Sequence, residues 1–250
     1  MNYDFVLCGV GGQGVLSIAW VIGQAALEAG LYLKQPEVHG MAQRGGAVSA
    51  LVRLSDSPIA SDLIPDGTAE MVLSVEPMES LRYTKLLRPD GWIVTDIAPL
   101  VNTQTYPEPD TLYGVLFAAP RVVAVNATHL AHRAGTVKAQ NMVMLGAAAS
   151  RLPIDAALLE KHVGELFAAK GQRIVTANLR AFRIGQAASH CHAAFLDAGV
   201  APAVAARAVA GLEFGAEPMA ADAIANWVER LRGTDGKDAA LRVFAERAAA

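Results

Sequence analysis

The sequence predicts an α/β fold, a doubly wound, mostly parallel sheet with helices on its faces and a C-terminal helical extension. Short apolar runs typical of buried strands alternate with segments of helical periodicity as far as residue 125, and this alternation favours parallel strands joined by helices. From residue 139 onward only helical patterns continue. A chain of 250 residues with 53% hydrophobic content is long enough to bury one sizeable core.

The N-terminal part predicts a strand, a tight turn and a helix. Residues 4–8 form an apolar run, and residues 15–29 carry apolar side chains at helical spacing. Between them, Gly9, Gly11 and Gly14 satisfy the pattern G-x-G-x-x-G. In this context the exposed amides and the helix N-terminus favour an anionic group.

The later elements follow the same alternation. A second strand at residues 31–33 completes a βαβ, Rossmann-like unit and ends before Pro36. Further strands are predicted at residues 47–54, 71–75, 92–96 and 121–125, with a helix from Glu76-Pro77 to residue 87, a turn at residues 89–91 and a loop at residues 98–110. Helices are predicted at the segment with His129 and His132 and at residues 141–151, 155–170 and 172–188. Residues 1–185 are therefore predicted to form the α/β domain, and residues 186–250 an alanine-rich helical extension.

The composition excludes several classes of function. A net charge of −3 and a pI near 6.1 give no broad positive field, so neither nucleic acid nor an anionic membrane is expected as a partner. Cys8 and Cys191 lack the clustered spacing of a disulfide framework, a zinc site or an iron–sulfur site. No signal peptide or membrane span is recognisable, so a cytoplasmic location is expected. High apolar content with only 18% charged residues indicates that another chain covers part of the surface.

Residues 37–46, with the sequence E-V-H-G-M-A-Q-R-G-G, form the most informative motif of the chain. Its glycines allow positive φ or a close approach to another surface, and its polar side chains exceed what a simple connection needs. This polar loop is therefore predicted to contact a ligand or another protein. The candidate contact residues of this loop are Glu37, His39, Gly40, Met41, Gln43, Arg44, Gly45 and Gly46. Glu76, at the end of a predicted strand, is a further candidate for the same contact.

The side chains of the polar loop each have a functional and a structural interpretation. The Arg44 guanidinium is suited to bind a phosphate or carboxylate, at about 1.5 to 3 kcal/mol for each charge-assisted bond, or else to stabilise the loop or bridge subunits. His39 is a candidate for proton transfer or a hydrogen-bonded structural residue. Gln43 is expected to orient a neighbour. No activated nucleophile or paired carboxylates are recognisable, and the run His190-Cys191-His192 cannot converge on one metal ion.

Five motifs together carry a resemblance to a known family. They are Gly9-Val-Gly-Gly-Gln-Gly14; Glu37-Val-His-Gly-Met-Ala-Gln-Arg-Gly-Gly46; Glu76-Pro-Met-Glu79 with Leu81-Arg-Tyr83; Asn141-Met-Val-Met-Leu-Gly146; and Asn178-Leu-Arg-Ala-Phe182 before Gly185. Over residues 4–185 the chain resembles the gamma-type subunit or domain of 2-oxoacid:acceptor (ferredoxin) oxidoreductases. Within that family it is most similar to the beta subunits of indolepyruvate ferredoxin oxidoreductases. The second motif is far more specific than the first.

The resemblance implies a subunit that is inactive alone. The whole enzyme of this family converts a 2-oxoacid, coenzyme A and an oxidised acceptor into an acyl-CoA, carbon dioxide and the reduced acceptor. Thiamine diphosphate, Mg²⁺ and [4Fe–4S] clusters are then expected on a larger partner subunit. The implied assembly is a hetero-oligomer, a dimer of heterodimers, that passes electrons to ferredoxin or another acceptor.

The resemblance also implies roles for the candidate residues. The polar loop and Glu76 are expected to face the partner, and His39 to contact the substrate. No metal ligand is expected in this chain, and coenzyme A is a candidate co-substrate. The residues expected to bind its phosphate groups are those of the glycine turn and one arginine: Gly9, Gly11, Gly12, Gln13, Gly14 and Arg44.

Two other functions stay open on the sequence alone. In an NAD-dependent Rossmann oxidoreductase, an acidic residue after the second strand would bind the ribose, and Glu37 is near the right distance, although it follows Pro36. In a noncatalytic nucleotide-binding or assembly module, the glycines would serve the packing of helix on sheet. The 2-oxoacid (an arylpyruvate, phenylglyoxylate or a branched-chain acid), the acceptor, the stoichiometry and the role of residues 186–250 also stay open.

Overall fold

One sheet runs through the structure, a computed structural model that describes residues 1–38 and 45–232. Its strands are β1 (Asn2–Val10), β2 (Tyr32–Lys34), β3 (Glu37–Val38), β4 (Ala47–Ser55), β5 (Ala69–Ser74), β6 (Leu87–Asp96) and β7 (Val122–Val125). The strand order is β2-β4-β1-β5-β6-β7, and β3 also pairs with β4. In the described ranges every strand except β4 runs in the same direction.

Helices cover both faces of this sheet. They are α1 (Val15–Glu28), α2 (Pro77–Arg82), α3 (Pro109–Ala118), α4 (Ala127–Ala134), α5 (Gln140–Ala149), α6 (Ala156–Phe167), α7 (Gln172–Asp197), α8 (Pro202–Gly211) and α9 (Ala221–Arg232). The helices α1, α5 and α7 pack on one face in the largest core, and α2 and α3 pack on the other face. The predicted doubly wound α/β fold is therefore confirmed. No helix in the described part of the chain is long and apolar enough to cross a membrane.

Two glycines of the sequence motifs allow α5 and α7 to pack in direct backbone contact. A Cβ atom added at Gly146 would lie 1.9 Å from the carbonyl oxygen of Phe182, and one added at Gly185 would lie 2.0 Å from the carbonyl oxygen of Val143. A side chain at either position would force the two helices apart. The last two motifs of the sequence are thus explained by helix packing.

The region from residue 76 to residue 96 differs from its prediction in two respects. The helix that begins at Pro77 ends at Arg82 instead of residue 87, because the chain must return to the sheet, where Leu87 pairs with Ala69. The predicted turn at residues 89–91 is an irregular part of β6, where the register with β5 shifts.

Three further elements differ from, or add to, the prediction. β4 lies between β1 and β2 and runs antiparallel to both, so the predicted βαβ unit does not consist of neighbouring strands. α3 forms in a region to which the sequence analysis assigned no element beyond the loop. α7 continues past residue 188 to Asp197, because buried residues such as Phe195 continue its core face and no breaker occurs before Gly199.

The helix α8 lies along β7, the last strand of the sheet. Ala206 and Ala210 belong to the core on the α3 face of the sheet, whereas Ala205 and Val209 belong to the core on the α1 face. The helix therefore straddles β7 and covers that edge of the sheet.

Candidate functional site

The glycine turn lies at the carboxyl end of β1, the edge at which open α/β sheets place their ligands. Gly12 and Gly14 have φ angles of 101° and 84°, in the left-handed region that favours glycine. A Cβ atom at Gly14 would also lie 2.4 Å from Nδ2 of Asn141, which donates to the Gly14 carbonyl oxygen at 3.3 Å. Gly14 is therefore required both by its own backbone conformation and by its contact with α5.

The side chain of Gln13 fixes the turn to two strands. Its Oε1 accepts from the Val10 amide at 2.8 Å, and its Nε2 donates to the Val75 carbonyl oxygen at 2.9 Å. Gly9 completes the close packing, because a Cβ atom there would lie 2.2 Å from Cγ2 of Val75. Both ends of the Gln13 amide are thus bonded inside the chain and are not offered to a ligand.

The end of the polar loop lies directly beside the glycine turn. The Gly11 amide donates to the Gly46 carbonyl oxygen at 2.8 Å, and the Gly45 amide donates to the Gly11 carbonyl oxygen at 3.3 Å. These bonds continue the antiparallel pairing of β1 with β4 beyond the last strand residues. The two motifs that are most informative in the sequence therefore meet at one edge of the sheet.

Much of the polar loop lies outside the described residues. This applies to His39, Gly40, Met41, Gln43 and Arg44, and to the side chain of Glu37, whose backbone pairs with Ala50 in β3 and β4. Their roles stay predictions from the sequence.

Glu76 is fully buried, and its carboxylate is bonded within the chain. Oε2 accepts from the Glu79 amide at 2.8 Å, which caps α2. Oε1 accepts from the Leu100 amide at 3.3 Å and from the Tyr106 hydroxyl. Leu100 and Tyr106 both belong to the connection of residues 97–108, here called the 97–108 segment. Glu76 therefore contributes to this edge by fixing the position of that segment.

The 97–108 segment reaches from Glu76 to the end of the polar loop. Nδ2 of Asn102 donates to the Gly45 carbonyl oxygen at 2.7 Å. The sequence analysis treated this region as a plain loop and missed its place in the site. Its length and its position after a predicted strand are the signals that could have revealed it, since long ordered connections at the carboxyl edge of a sheet are often functional.

Two more carboxyl groups lie beneath this edge. Asp96 is almost fully buried, and Oδ1 accepts from the amides of Ala98 and Ala127 at 3.0 Å each. Burial raises the pKa of Asp96 to about 7. Burial also raises the pKa of Glu79, whose Oε2 has no hydrogen-bond partner among the described residues. Both carboxyl groups are buried, so neither is exposed at this edge of the sheet.

Backbone amides are the donors that the glycine turn offers to a ligand. No described residue accepts a hydrogen bond from the amides of Gly12, Gly14, Val15 or Leu16, the last two of which open α1. The helix dipole adds a preference for negative charge of about 0.3 to 1 kcal/mol. In its described part, this edge is thus suited to bind an anionic group and a protein surface, and its carboxylates are not placed for acid–base catalysis.

Cys8 lies on β1 just before the glycine turn, with Sγ 3.5 Å from the Glu79 carbonyl oxygen, whereas Cys191 and its two histidine neighbours lie on α7. Cys8 and Cys191 are fully buried, and burial raises the pKa of each thiol to about 12. His190 is exposed, whereas His192 is buried with its ring 6.1 Å from that of Trp92. Burial, followed by the charge of Arg151, lowers the pKa of His192 to about 4. The expected divergence of these side chains is confirmed.

The chain matches a family model and several known proteins. The family model, described as pyruvate ferredoxin/flavodoxin oxidoreductase, matches residues 4–188. An indolepyruvate oxidoreductase subunit, IorB, from Archaeoglobus fulgidus is 37% identical over 194 residues, which cover 74% of this chain and 94% of the relative.

Two solved structures share the fold. One is a 2-oxoglutarate:ferredoxin oxidoreductase from Magnetococcus marinus with 2-oxoglutarate, coenzyme A and succinyl-CoA bound, at a TM-score of 0.62 and 20% identity; the match covers 76% of this chain and 31% of that one. The other is the gamma subunit of a keto/oxoacid ferredoxin oxidoreductase from Geobacter sulfurreducens, at a TM-score of 0.53 and 23% identity, with 73% and 95% coverage. At these identities the two structures support the fold alone.

Proposed function

The chain belongs to the pyruvate ferredoxin/flavodoxin oxidoreductase family, and from this premise we propose how it contributes to the enzyme. It is a subunit of a 2-oxoacid:ferredoxin oxidoreductase. Our proposal is that the edge formed by the glycine turn and the polar loop completes an active site whose reactive cofactors belong to a partner subunit. The chain is then inactive alone and works in a cytoplasmic hetero-oligomer.

One observation supports this proposal above the others, the contact between the glycine turn and the end of the polar loop. The bonds between Gly11 and Gly45-Gly46 bring a turn with free amides and a polar loop to the carboxyl edge of the sheet. An active site of this chain alone would need reactive side chains, and the described carboxylates nearby, those of Glu76 and Asp96, are buried and accept hydrogen bonds from within the chain. An edge that completes the active site of a partner subunit needs only hydrogen-bond donors and a surface complementary to that subunit.

The cysteines support the assignment of the clusters to the partner. A [4Fe–4S] cluster requires four thiolate ligands. This chain has two cysteines, Cys8 on β1 and Cys191 on α7, and both thiols are buried and protonated at neutral pH. Thiamine diphosphate, Mg²⁺ and [4Fe–4S] clusters are therefore proposed for the partner, where they supply decarboxylation and electron transfer.

Coenzyme A is the proposed ligand of the glycine turn. Its phosphate groups are suited to accept from the amides of Gly12, Gly14 and Val15, which donate to no acceptor among the described residues, and the Arg44 side chain is proposed to bind the same groups. The substrate proposed for the complex is indolepyruvate, in line with the name of the 37% identical relative, and ferredoxin is the proposed acceptor.

Complementation tests the proposed function. We expect no oxidation of indolepyruvate by the purified chain with coenzyme A and ferredoxin, and turnover after the thiamine diphosphate-binding subunit is added. Turnover by the lone chain with NAD would instead favour an NAD-dependent oxidoreductase. A complex that forms without any effect on turnover would favour a noncatalytic assembly module.

Arg44→Ala tests the phosphate role within the reconstituted complex. We expect KM for coenzyme A to rise by about tenfold or more, since one charge-assisted bond of about 1.5 to 3 kcal/mol is lost. Arg180→Ala, which removes an exposed arginine from α7, is the matched control and should leave KM unchanged. Unaltered kinetics and assembly of Arg44→Ala would reject this role.

A further inference from the structure

The 97–108 segment is held in place at three positions, although it contains no regular secondary structure. Glu76, a fully buried carboxylate, accepts from the Leu100 amide and the Tyr106 hydroxyl. Between these two positions, Asn102 donates to the Gly45 carbonyl oxygen at 2.7 Å. Burial of a carboxylate is costly unless its oxygens are bonded, so these contacts fix the segment firmly. Its outward surface is therefore preformed.

That outward surface combines two exposed apolar side chains with the exposed but uncharged polar residues 102–105. Val101 is 70% exposed and Leu100 is 38% exposed, and both precede Asn102 directly. The helix that begins directly after the glycine turn, α1, exposes Leu16 at 46% and Trp20 at 40%, and the centroid of the Trp20 ring lies 6.4 Å from that of the His162 ring of α6. Residues 16 and 20 are one helical turn apart and share a face. Exposed apolar side chains thus occur on two segments that are joined to the glycine turn, α1 directly and the 97–108 segment through Asn102 and Gly45.

Neither α1 near these side chains nor the 97–108 segment up to Pro107 contains a charged residue of its own. Residues 5–27 and residues 97–107 contain no aspartate, glutamate, lysine, arginine or histidine, in a chain with 18% charged residues. The first charge of α1 is Glu28, whose carboxylate is paired with Lys161 and His162 of α6. Depletion of charge with an exposed tryptophan is typical of the core of a protein interface.

We propose that the 97–108 segment and the exposed face of α1 form one docking surface for the thiamine diphosphate-binding subunit, with the glycine turn at its centre. This inference rests on the proposed function, because the occupant is the same subunit. The surface is continuous with the proposed site through the bonds from Asn102 to Gly45 and from Gly45 to Gly11. Leu100, Val101 and Trp20 are the apolar contacts.

Binding of the purified partner subunit, loaded with thiamine diphosphate, tests the docking surface by biolayer interferometry. We expect Leu100→Ser with Val101→Ser, and separately Trp20→Ser, to raise Kd by about tenfold or more. The matched controls are Leu63→Ser, 67% exposed beside the Arg53–Asp4 pair at the opposite end of β1, and Val115→Ser, 56% exposed on α3. Both controls should bind like the wild type, and thermal midpoints should confirm that every variant is folded.

The outcomes separate this inference from the proposed function. Wild-type binding with unchanged Kd for the loop and Trp20 variants would overturn the docking surface and leave the function intact. Absence of wild-type binding would overturn both. Self-association of the chain alone that these variants abolish would assign the surface to a second copy and overturn the inference.

Discussion

At the scale of single residues, Gly14 shows why part of the site can be predicted from the sequence. Its positive φ and its contact with Asn141 are both consequences of a glycine placed between a strand and a helix. The turn was therefore predictable. The bonds of Glu76 Oε1 were not, since their donors lie 24 and 30 residues further along the chain and no local pattern connects them.

Gly14→Ala tests the need for glycine at the turn. Strain at positive φ should lower the free energy of unfolding by about 1 to 3 kcal/mol, and the collision with Asn141 adds to that loss. Chemical denaturation measures it. Gly164→Ala is the control, because a Cβ atom in α6 meets nothing within 4 Å and alanine favours helix. Equal stability of Gly14→Ala and the wild type would contradict the geometry of the turn.

Asp96→Asn tests the buried acid beneath the edge. Because the pKa of Asp96 is raised from 3.8 to about 7 in the folded chain, the native state holds a proton that the unfolded chain has lost between these pH values. The stabilisation that Asp96 gives the folded state is therefore fully present below pH 4. It is lost as the pH rises to 7, and the free energy of unfolding then falls by roughly 1.4 kcal/mol per pH unit at most. Asparagine keeps an accepting oxygen and does not titrate.

Urea unfolding between pH 4.5 and pH 8 measures the effect of Asp96→Asn. We expect the stability of the wild type to fall relative to Asp96→Asn as the pH rises through this range. Asp62→Asn, at an exposed position, is the control and should follow the wild type. Parallel pH profiles for the wild type and Asp96→Asn would contradict a raised pKa.

At the scale of elements, apolar patterns predicted the positions of most strands and helices but not their direction or neighbours. The antiparallel β4 between β1 and β2 is set by long-range pairing, such as Phe5 opposite Val52, which the alternation of residues does not encode. The helical character of the extension was predicted from its alanine-rich composition. The position of α8 over β7 was not, because it depends on both faces of the sheet.

The straddling position of α8 is tested by placing one charge at two sites of the same helix. Val209 is fully buried, so Val209→Asp should cost more than about 3 kcal/mol of unfolding free energy, as an unpaired charge is buried. Ala201 is the exposed N-cap of α8, so Ala201→Asp should be neutral or stabilising by about 0.5 to 1 kcal/mol. Similar effects of the two variants would show that α8 does not cover β7.

At the scale of the whole molecule, the family match covers most of the chain and leaves its C-terminal part unmatched. The match covers residues 4–188, and the sequence analysis placed a boundary at residue 185. That position lies inside α7, one continuous helix from Gln172 to Asp197, so the boundary does not fall between two elements. The division into a domain of residues 1–185 and an extension of residues 186–250 stays a proposal.

Hydrogen exchange of the chain alone and in complex tests most directly whether the carboxyl edge faces the partner. We expect amides in residues 9–16 and 97–108 to exchange more slowly once the thiamine diphosphate-binding subunit is bound, because the free amides of the turn become covered. Amides of α8 should exchange at the same rate in both states. Unchanged exchange at the glycine turn, with protection confined to α8 or another distant surface, would contradict the account.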